Sequence, residues 1–453
     1  MSPSPHDGLP QPRRAWATAT LTIAVGLATL DTAIANVALP AIAADLQASA
    51  ATSVWVINAY QLAVVATILP LAALGEIVGH RRIYIWGLAL FTLASLACGL
   101  AWSLPTLAGA RILQGLGASA IMSVNAALIR FINPEARLGR ALGFNALVVA
   151  VGFAVGPSVA SAVLSVASWP WLFLVNVPFG LAGLALALPT LPVTARAGHR
   201  FDALAGLLAG LAFTGLVLGI TESAHQAPWP YVTAEWTVSA LCFVLLWRRE
   251  AGHPAPMLAV DLFRLPMFAL SAATSVCSFA AQGLAFVALP FLFETVLGRS
   301  QVETGFLMTP WPVVVGIMAP IAGRLSDRYP VGALGGIGMA ILAGGMLLLA
   351  AQPDRPDVAV IVCSMAICGA GFGFFQSPNL RALLTSAPPS RTGSASGIVG
   401  LARLIGQTTG AALVAACFHL SPLHGPRTAL LLGAGFAGLA CMASFARLRV
   451  RPG

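Results

Sequence analysis

Val37-Ala38-Leu39-Pro40 and, 250 positions later, Val287-Ala288-Leu289-Pro290 are the same four residues, each closing a long apolar stretch. Each is followed by a polar loop, another apolar stretch and an arginine-bearing loop. Aligned on the prolines with one inserted residue, Leu74-Gly75-Glu76 meets Leu325-Ser326-Asp327. Two halves that repeat hydropathy and an acidic loop predict two parallel helical bundles related by an axis along the membrane normal.

The composition demands a membrane. Hydrophobic residues make up 58% of the 453 and charged residues 9%, against about 25% charged in a soluble domain. A hydrocarbon core about 30 Å thick needs about 20 apolar residues per helix. About fourteen stretches qualify, near 16–40, 53–75, 83–102, 105–129, 139–165, 170–190, 203–221, 233–247, 267–293, 303–323, 332–351, 358–380, 393–418 and 426–446. The expectation is an all-α polytopic protein, with a disordered tail at 1–14, a six-helix bundle at 15–195, two additional linking spans at 196–256, a second six-helix bundle at 257–447 and a tail at 448–453. Asp202 is placed to cap the first linking span.

A net charge of +9 could suggest nucleic acid, but the placement of the basic residues answers otherwise. All 24 are arginine. With the N-terminus inside, nineteen fall on the cytoplasmic side and three on the other, leaving Arg111 and Arg403 within spans. That asymmetry is an orientation signal for a multi-pass protein of the plasma membrane with both termini cytoplasmic. Nucleic acid is not an expected partner. Seven cysteines and seven histidines show no metal-ligand spacing, so no metal, disulfide or cofactor is implied. A chain without lysine also lacks the usual phosphate-loop lysine. An enzyme is not expected, and the energy source is an ion gradient.

Asp31 is the sharpest anomaly. An ionised carboxylate at a helix centre costs about 2.5–3.5 kcal/mol on insertion scales and persists where it faces a cavity or a partner. The bland alternative is capping near an aqueous end. Arg111 cannot shed its charge, so it must find carboxylate or backbone partners, Asp31 among them, or snorkel to the outer interface.

Gly143, eight residues, Gly152, three residues, Gly156 and Pro157 lie in an apolar run with no charge between Arg140 and Arg196. Paired glycines four apart ordinarily mean close helix packing. The whole spacing resembles the fifth-helix antiporter motif of the major facilitator superfamily, with Ala160 and Ser161 where that pattern has two further glycines. Leu30-Asp31-Thr32 with Asn36-Val37-Ala38-Leu39-Pro40 resembles the first-helix signature of the fourteen-span drug:proton antiporter branch, and Arg111-Ile112-Leu113-Gln114-Gly115-Leu116-Gly117 its fourth-helix motif. Glu76 to Arg82, with Gly79, Arg81 and Arg82, resembles the superfamily's loop between the second and third spans, Glu76 standing for its aspartate. Gly323-Arg324-Leu325-Ser326-Asp327-Arg328 is the second-half copy. Trp169 to Pro178, containing Asn176, resembles the sixth-helix motif with Pro170 for an arginine. Ser396 to Gly410, containing Arg403, resembles the thirteenth-helix run.

What the resemblance implies is a major facilitator fold of two six-helix bundles plus two helices, working as a monomer. It implies exchange of protons for a lipophilic, cationic small molecule. Asp31 and Arg111 would couple the proton, and Glu76, Gly79, Arg81, Arg82, Gly323, Asp327 and Arg328 would gate. Gly143, Gly152, Gly156 and Pro157 would seal the bundles. Asn36, Trp55, Tyr60, Gln61, Asn145, Gln282 and Trp311 are the candidate cavity residues, and Arg403 is a second intramembrane cation in need of a partner. An uptake symporter of the same fold for a small metabolite stays open as the alternative.

Overall fold

The computed structural model describes residues 8–134, 138–194, 201–224, 228–250, 260–326, 328–353, 356–387, 392–421 and 424–450. The N-terminal bundle is α1 (Arg13–Asp45), α2 (Ala50–Ser53), α3 (Trp55–Val78), α4 (His80–Gly99), α5 (Leu104–Ile132), α6 (Leu138–Leu164), α7 (Pro170–Leu174) and α8 (Asn176–Thr190). Helices α9 (Ala203–Ala224) and α10 (Trp229–Glu250) follow. The C-terminal bundle is α11 (Pro266–Phe291), α12 (Gln301–Met308), α13 (Pro310–Leu325), α14 (Val331–Ala350), α15 (Val358–Ser386), α16 (Thr392–Leu420) and α17 (Gly425–Ala446). Thirteen helical stretches among the described residues are long and apolar enough to cross a membrane. The 27 residues of α6, about 40 Å at 1.5 Å per residue, supply the remaining expected span.

Proline explains where single expected spans break in two. Pro178 has no N–H for the carbonyl of Leu174, and the stretch 170–190 divides between α7 and α8. Pro310 and Pro312 deny the same bond to Phe306 and Met308, dividing α12 from α13. The first repeated proline, Pro40, lies inside α1. The second, Pro290, is followed by a π-helical turn at Leu292–Val296.

The tails are more ordered than the sequence suggests. Gly8 adopts φ +65°, a left-handed conformation that glycine takes without penalty. This turn lets the Leu9 N–H donate to the Ile132 carbonyl at 2.9 Å. At the other end Arg447 is buried and donates to Asn379 Oδ1 at 2.7 Å and Ser271 Oγ at 3.1 Å. Expected disorder at 1–14 is therefore corrected over residues 8–14.

The two bundles share one core on the side away from the termini. There, Val37, Leu39 and Ile42 of α1, Val54 and Ile57, Ala160 of α6, Phe286 and Leu289 of α11, and Leu307 and Met308 of α12 form a single apolar cluster. On the termini side the apolar packing falls into two clusters, with α16 reaching from the C-terminal bundle into the first. One cluster holds Leu21, Tyr84, Leu128 and Leu191 of the N-terminal bundle, joined from across by Leu401 and Leu404. Another holds Phe268, Leu383 and Ile398 of the C-terminal bundle.

Helix α9 packs on α3 and on α16, one helix from each bundle, and α10 packs on α9. Asp202 caps α9 as expected, accepting from the Ala205 N–H at 3.0 Å, and pairs with Arg249 at 2.8 Å. The Arg249 guanidinium, with the Ala205 amide, holds the Asp202 carboxyl below the usual carboxylate range.

Candidate functional site

Asp31 sits fourteen residues before the end of α1 and is 1% exposed. Its Oδ2 pairs with Arg111 Nη1. Its Oδ1 accepts from Gln114 Nε2 and from Asn176 Nδ2, both at 2.8 Å. Gln114 Nε2 also donates to Ser95 Oγ at 2.9 Å. Four helices thus converge on one carboxylate: α1, α4, α5 and α8. Arg111 and Gln114 can both reach it because they are three apart and share a face of α5. Snorkelling is not what Arg111 does. It is 1% exposed, donates through Nε to the Val56 carbonyl at 3.0 Å, and lies under the Tyr60 ring at 4.3 Å from the centroid and beside Phe173 at 5.5 Å. Taking two opposite charges out of water is stabilising only when such further bonds satisfy them.

Asn176 is fully buried and was visible in the sequence only as part of a motif. Asn176→Leu removes one of the two amide donors to Asp31. A hydrogen bond to a charged group contributes about 1.5–3 kcal/mol, so the variant is expected to melt several degrees lower in detergent. An unchanged melting temperature would show that Gln114 alone suffices.

A narrow cavity lies on the other side of the α1 wall. It is lined by Thr32 and Asn36 of α1, Gln61 of α3, Phe153 of α6, Gln282, Gly283, Phe286 and Val287 of α11, and Gln407 and Ala411 of α16. Three candidate residues, Asn36, Gln61 and Gln282, therefore meet here, while Thr32, Phe153, Phe286 and Gln407 were not among the candidate cavity residues, because single hydroxyls, amides and phenyl rings are unremarkable in spans. Gln61 Oε1 accepts from Thr408 Oγ1 at 2.9 Å, bridging the bundles. Gln407 Nε2 reaches Gln282 Oε1 at 3.4 Å.

The other candidates lie elsewhere. Tyr60 faces Arg111. Asn145 accepts from Asn125 Nδ2 at 2.9 Å, within the N-terminal bundle. Trp311 is fully buried against Phe286, ring centroids 5.3 Å apart. Trp55, at the start of α3, is not among the lining residues. Arg403 is half-buried on α16, with no hydrogen bond or ion pair among the described residues.

The glycines of α6 pack inside their own bundle rather than between the two. A Cβ on Gly152 would stand 3.2 Å from the Thr29 side chain, and one on Gly156 would collide with Ala33 Cβ. Both neighbours flank Asp31 on α1. The contact between bundles comes one turn later, where Pro157 and Ser161 meet Gly305 of α12 and Ser161 Oγ donates to the Gln301 carbonyl at 3.2 Å. Ser158 and Thr309 hydroxyls bond across the same seam at 2.9 Å. Gly143 lies on α6, but its own packing is outside the description.

Gly79 alone separates α3 from α4, with φ +107° and ψ 128°. His80 N–H donates to Thr194 Oγ1 at 3.0 Å, and Arg81 Nη2 donates to the Leu188 carbonyl. Glu76 and Arg82 are exposed. In the second copy Gly323 is on α13, Arg328 follows it and Asp327 lies outside the described residues.

Comparison with known proteins agrees with this architecture. The sequence model of the Major Facilitator Superfamily matches residues 21–411. The uncharacterised transporter YebQ of Escherichia coli strain K12 is 48% identical over 98% of this chain and 97% of its own length. The riboflavin transporter RibZ of Clostridioides difficile is 32% identical over 88% of this chain and 87% of its own. The multidrug resistance protein Stp of Mycobacterium tuberculosis strain CDC 1551 / Oshkosh is 34% identical over 85% of this chain and 72% of its own.

Proposed function

Because this chain belongs to the Major Facilitator Superfamily, we propose that it is a proton-coupled exporter of lipophilic small molecules, working by alternating access around the central cavity. The observation that carries the coupling is the placement of Asp31 directly behind Thr32. One side of the α1 wall holds the buried carboxylate, and the other faces the cavity. Protonating Asp31 frees Arg111, which also holds α3 through the Val56 carbonyl and Tyr60. Helix α3 carries Gln61 into the cavity and onto Thr408 of the opposite bundle. A proton on Asp31 thereby reaches the seam between bundles through one helix. With the arginine-rich termini side as the cytoplasmic side, a core joined on the far side and split into two clusters on the termini side is the inward-facing arrangement.

Export over uptake is supported by the α6 motif and by a relative named for multidrug resistance. The resemblance implies a cationic substrate, but the Asp31 carboxylate, which such a cation would seek, is committed to Arg111, Gln114 and Asn176. The deciding experiment is a resistance and dye-efflux panel in a pump-deficient host, with and without an uncoupler, followed by everted vesicles. Export predicts proton exit from an acidic vesicle lumen on adding substrate. Substrate-induced proton entry would establish the symporter instead.

Gating gives a separate expectation. Glu76→Gln removes a charge from the loop that approaches the other bundle when the termini side closes. One charge-assisted contact of about 1.5–3 kcal/mol changes a two-state population more than tenfold. Turnover is expected to fall more than affinity, with less labelling of cysteines placed at the outer mouth. Equal labelling would remove Glu76 from the gate.

A further inference from the structure

We infer that the central cavity selects substrates bearing a negative charge, and that Arg403 is the residue that recognises it. This rests on reading the cavity as the transport site. Arg403, Gln407 and Ala411 are spaced by four along α16 and so lie on one helix face. Gln407 and Ala411 line the cavity. Arg403 stands one turn nearer the termini side, at the mouth through which an inward-facing carrier loads. It is eleven residues from the start of α16 and seventeen from the end, deep in the span.

The charge count around it is uneven. Among the described residues of the two bundles, Asp31 is the one carboxylate more than two turns from a helix end. Arg111 neutralises it inside the same network. Arg403 is left as an unpaired cation, and guanidinium keeps its charge at any physiological pH. It is half-buried, between Leu401 and Leu404 that pack into the N-terminal cluster, and closing the bundles over it leaves a buried cation that needs a counter-ion. A substrate carboxylate, sulfonate or phosphate supplies one, and the planar fork of arginine suits such groups. The Phe153 and Phe286 rings offer apolar faces to the rest of the molecule, and the Asn36, Gln61 and Gln282 amides offer neutral hydrogen bonds. The expected ligand is therefore a lipophilic aromatic acid.

Binding without any gradient tests this independently of transport direction. The purified protein in nanodiscs is titrated, by tryptophan fluorescence, with 2-naphthoate, with 2-naphthamide and with 2-naphthylmethylammonium. Wild type is expected to bind naphthoate at least tenfold tighter than the ammonium. Arg403→Gln should weaken naphthoate tenfold or more and leave naphthamide unchanged, which also reports that the variant is folded. Arg403→Lys should retain much of the preference. The inference is overturned if the ammonium binds as tightly as naphthoate, if Arg403→Gln leaves the naphthoate Kd within twofold, or if no probe binds at millimolar concentration. A clear anion preference with no proton movement in vesicles would instead leave the inference standing and defeat the coupling.

Discussion

Asp31→Asn is expected to abolish gradient-driven export and, at the same time, to lower the stability of the N-terminal bundle. Three donors converge on the carboxylate, from Arg111, Gln114 and Asn176. An amide has one acceptor oxygen. If that oxygen serves Gln114 and Asn176, its NH2 faces the Arg111 guanidinium, and if it serves Arg111, the NH2 faces two other donors. Removing one partner of a buried pair commonly costs about 3–5 kcal/mol, because the remaining charge stays uncompensated. The variant is read by membrane level, melting temperature and uncoupler-sensitive efflux. Asp31→Asn combined with Arg111→Gln separates the two effects, since two neutral amides remove the orphaned cation while leaving nothing to titrate. The pair should recover much of the melting temperature and none of the coupling. Gradient-driven efflux by well-expressed Asp31→Asn would reduce the network to a structural device.

How much of this was legible depends on what kind of signal each residue carries. The two bundles, the linking helices and Asp202 as a cap were readable, because apolar runs of about 20 residues and repeated motifs are statements about sequence alone. Asp31 and Arg111 were readable for a related reason: a charge among apolar residues announces that it needs a partner. Which way a neutral residue faces is another matter. A helix apolar on all sides, like α6 or α13, gives no amphipathic stripe from which to orient it. Trp311 therefore looked as suited to a cavity as to the core, where it packs on Phe286. Asn145 found Asn125 rather than substrate. Gly156 could have faced either bundle, and only the helix pairing shows it against Ala33. The span breaks at Leu174 to Asn176 and Met308 to Pro310 were present as prolines, yet prolines are common enough in spans that these did not stand out.

Gly305→Leu is expected to open the far-side seam, and it is the sharpest test of the inward-facing reading. Gly305 is in contact with the Ser161 side chain and with the Pro157 carbonyl, so a side chain there displaces helix α6 from α12. Overpacking a close contact costs about 1–3 kcal/mol, which shifts a two-state equilibrium by about 5- to 150-fold. That strain falls on the state in which the seam is closed and is relieved in the state in which it is parted. Export should be lost with membrane levels unchanged. A cysteine at Ser158, whose hydroxyl bonds Thr309 across the seam at 2.9 Å, should become far more reactive to an impermeant maleimide from outside in a background lacking the native cysteines. Gly156→Leu makes the contrast, because its new side chain meets Ala33 within the N-terminal bundle. It should lower the melting temperature and disturb the helix that carries Asp31 without raising labelling at position 158. Equal labelling in the Gly305→Leu variant and the unmodified chain would show that the α6–α12 contact is not the seal, and would leave the far-side core at Leu39, Phe286 and Leu307 to hold the bundles together by itself.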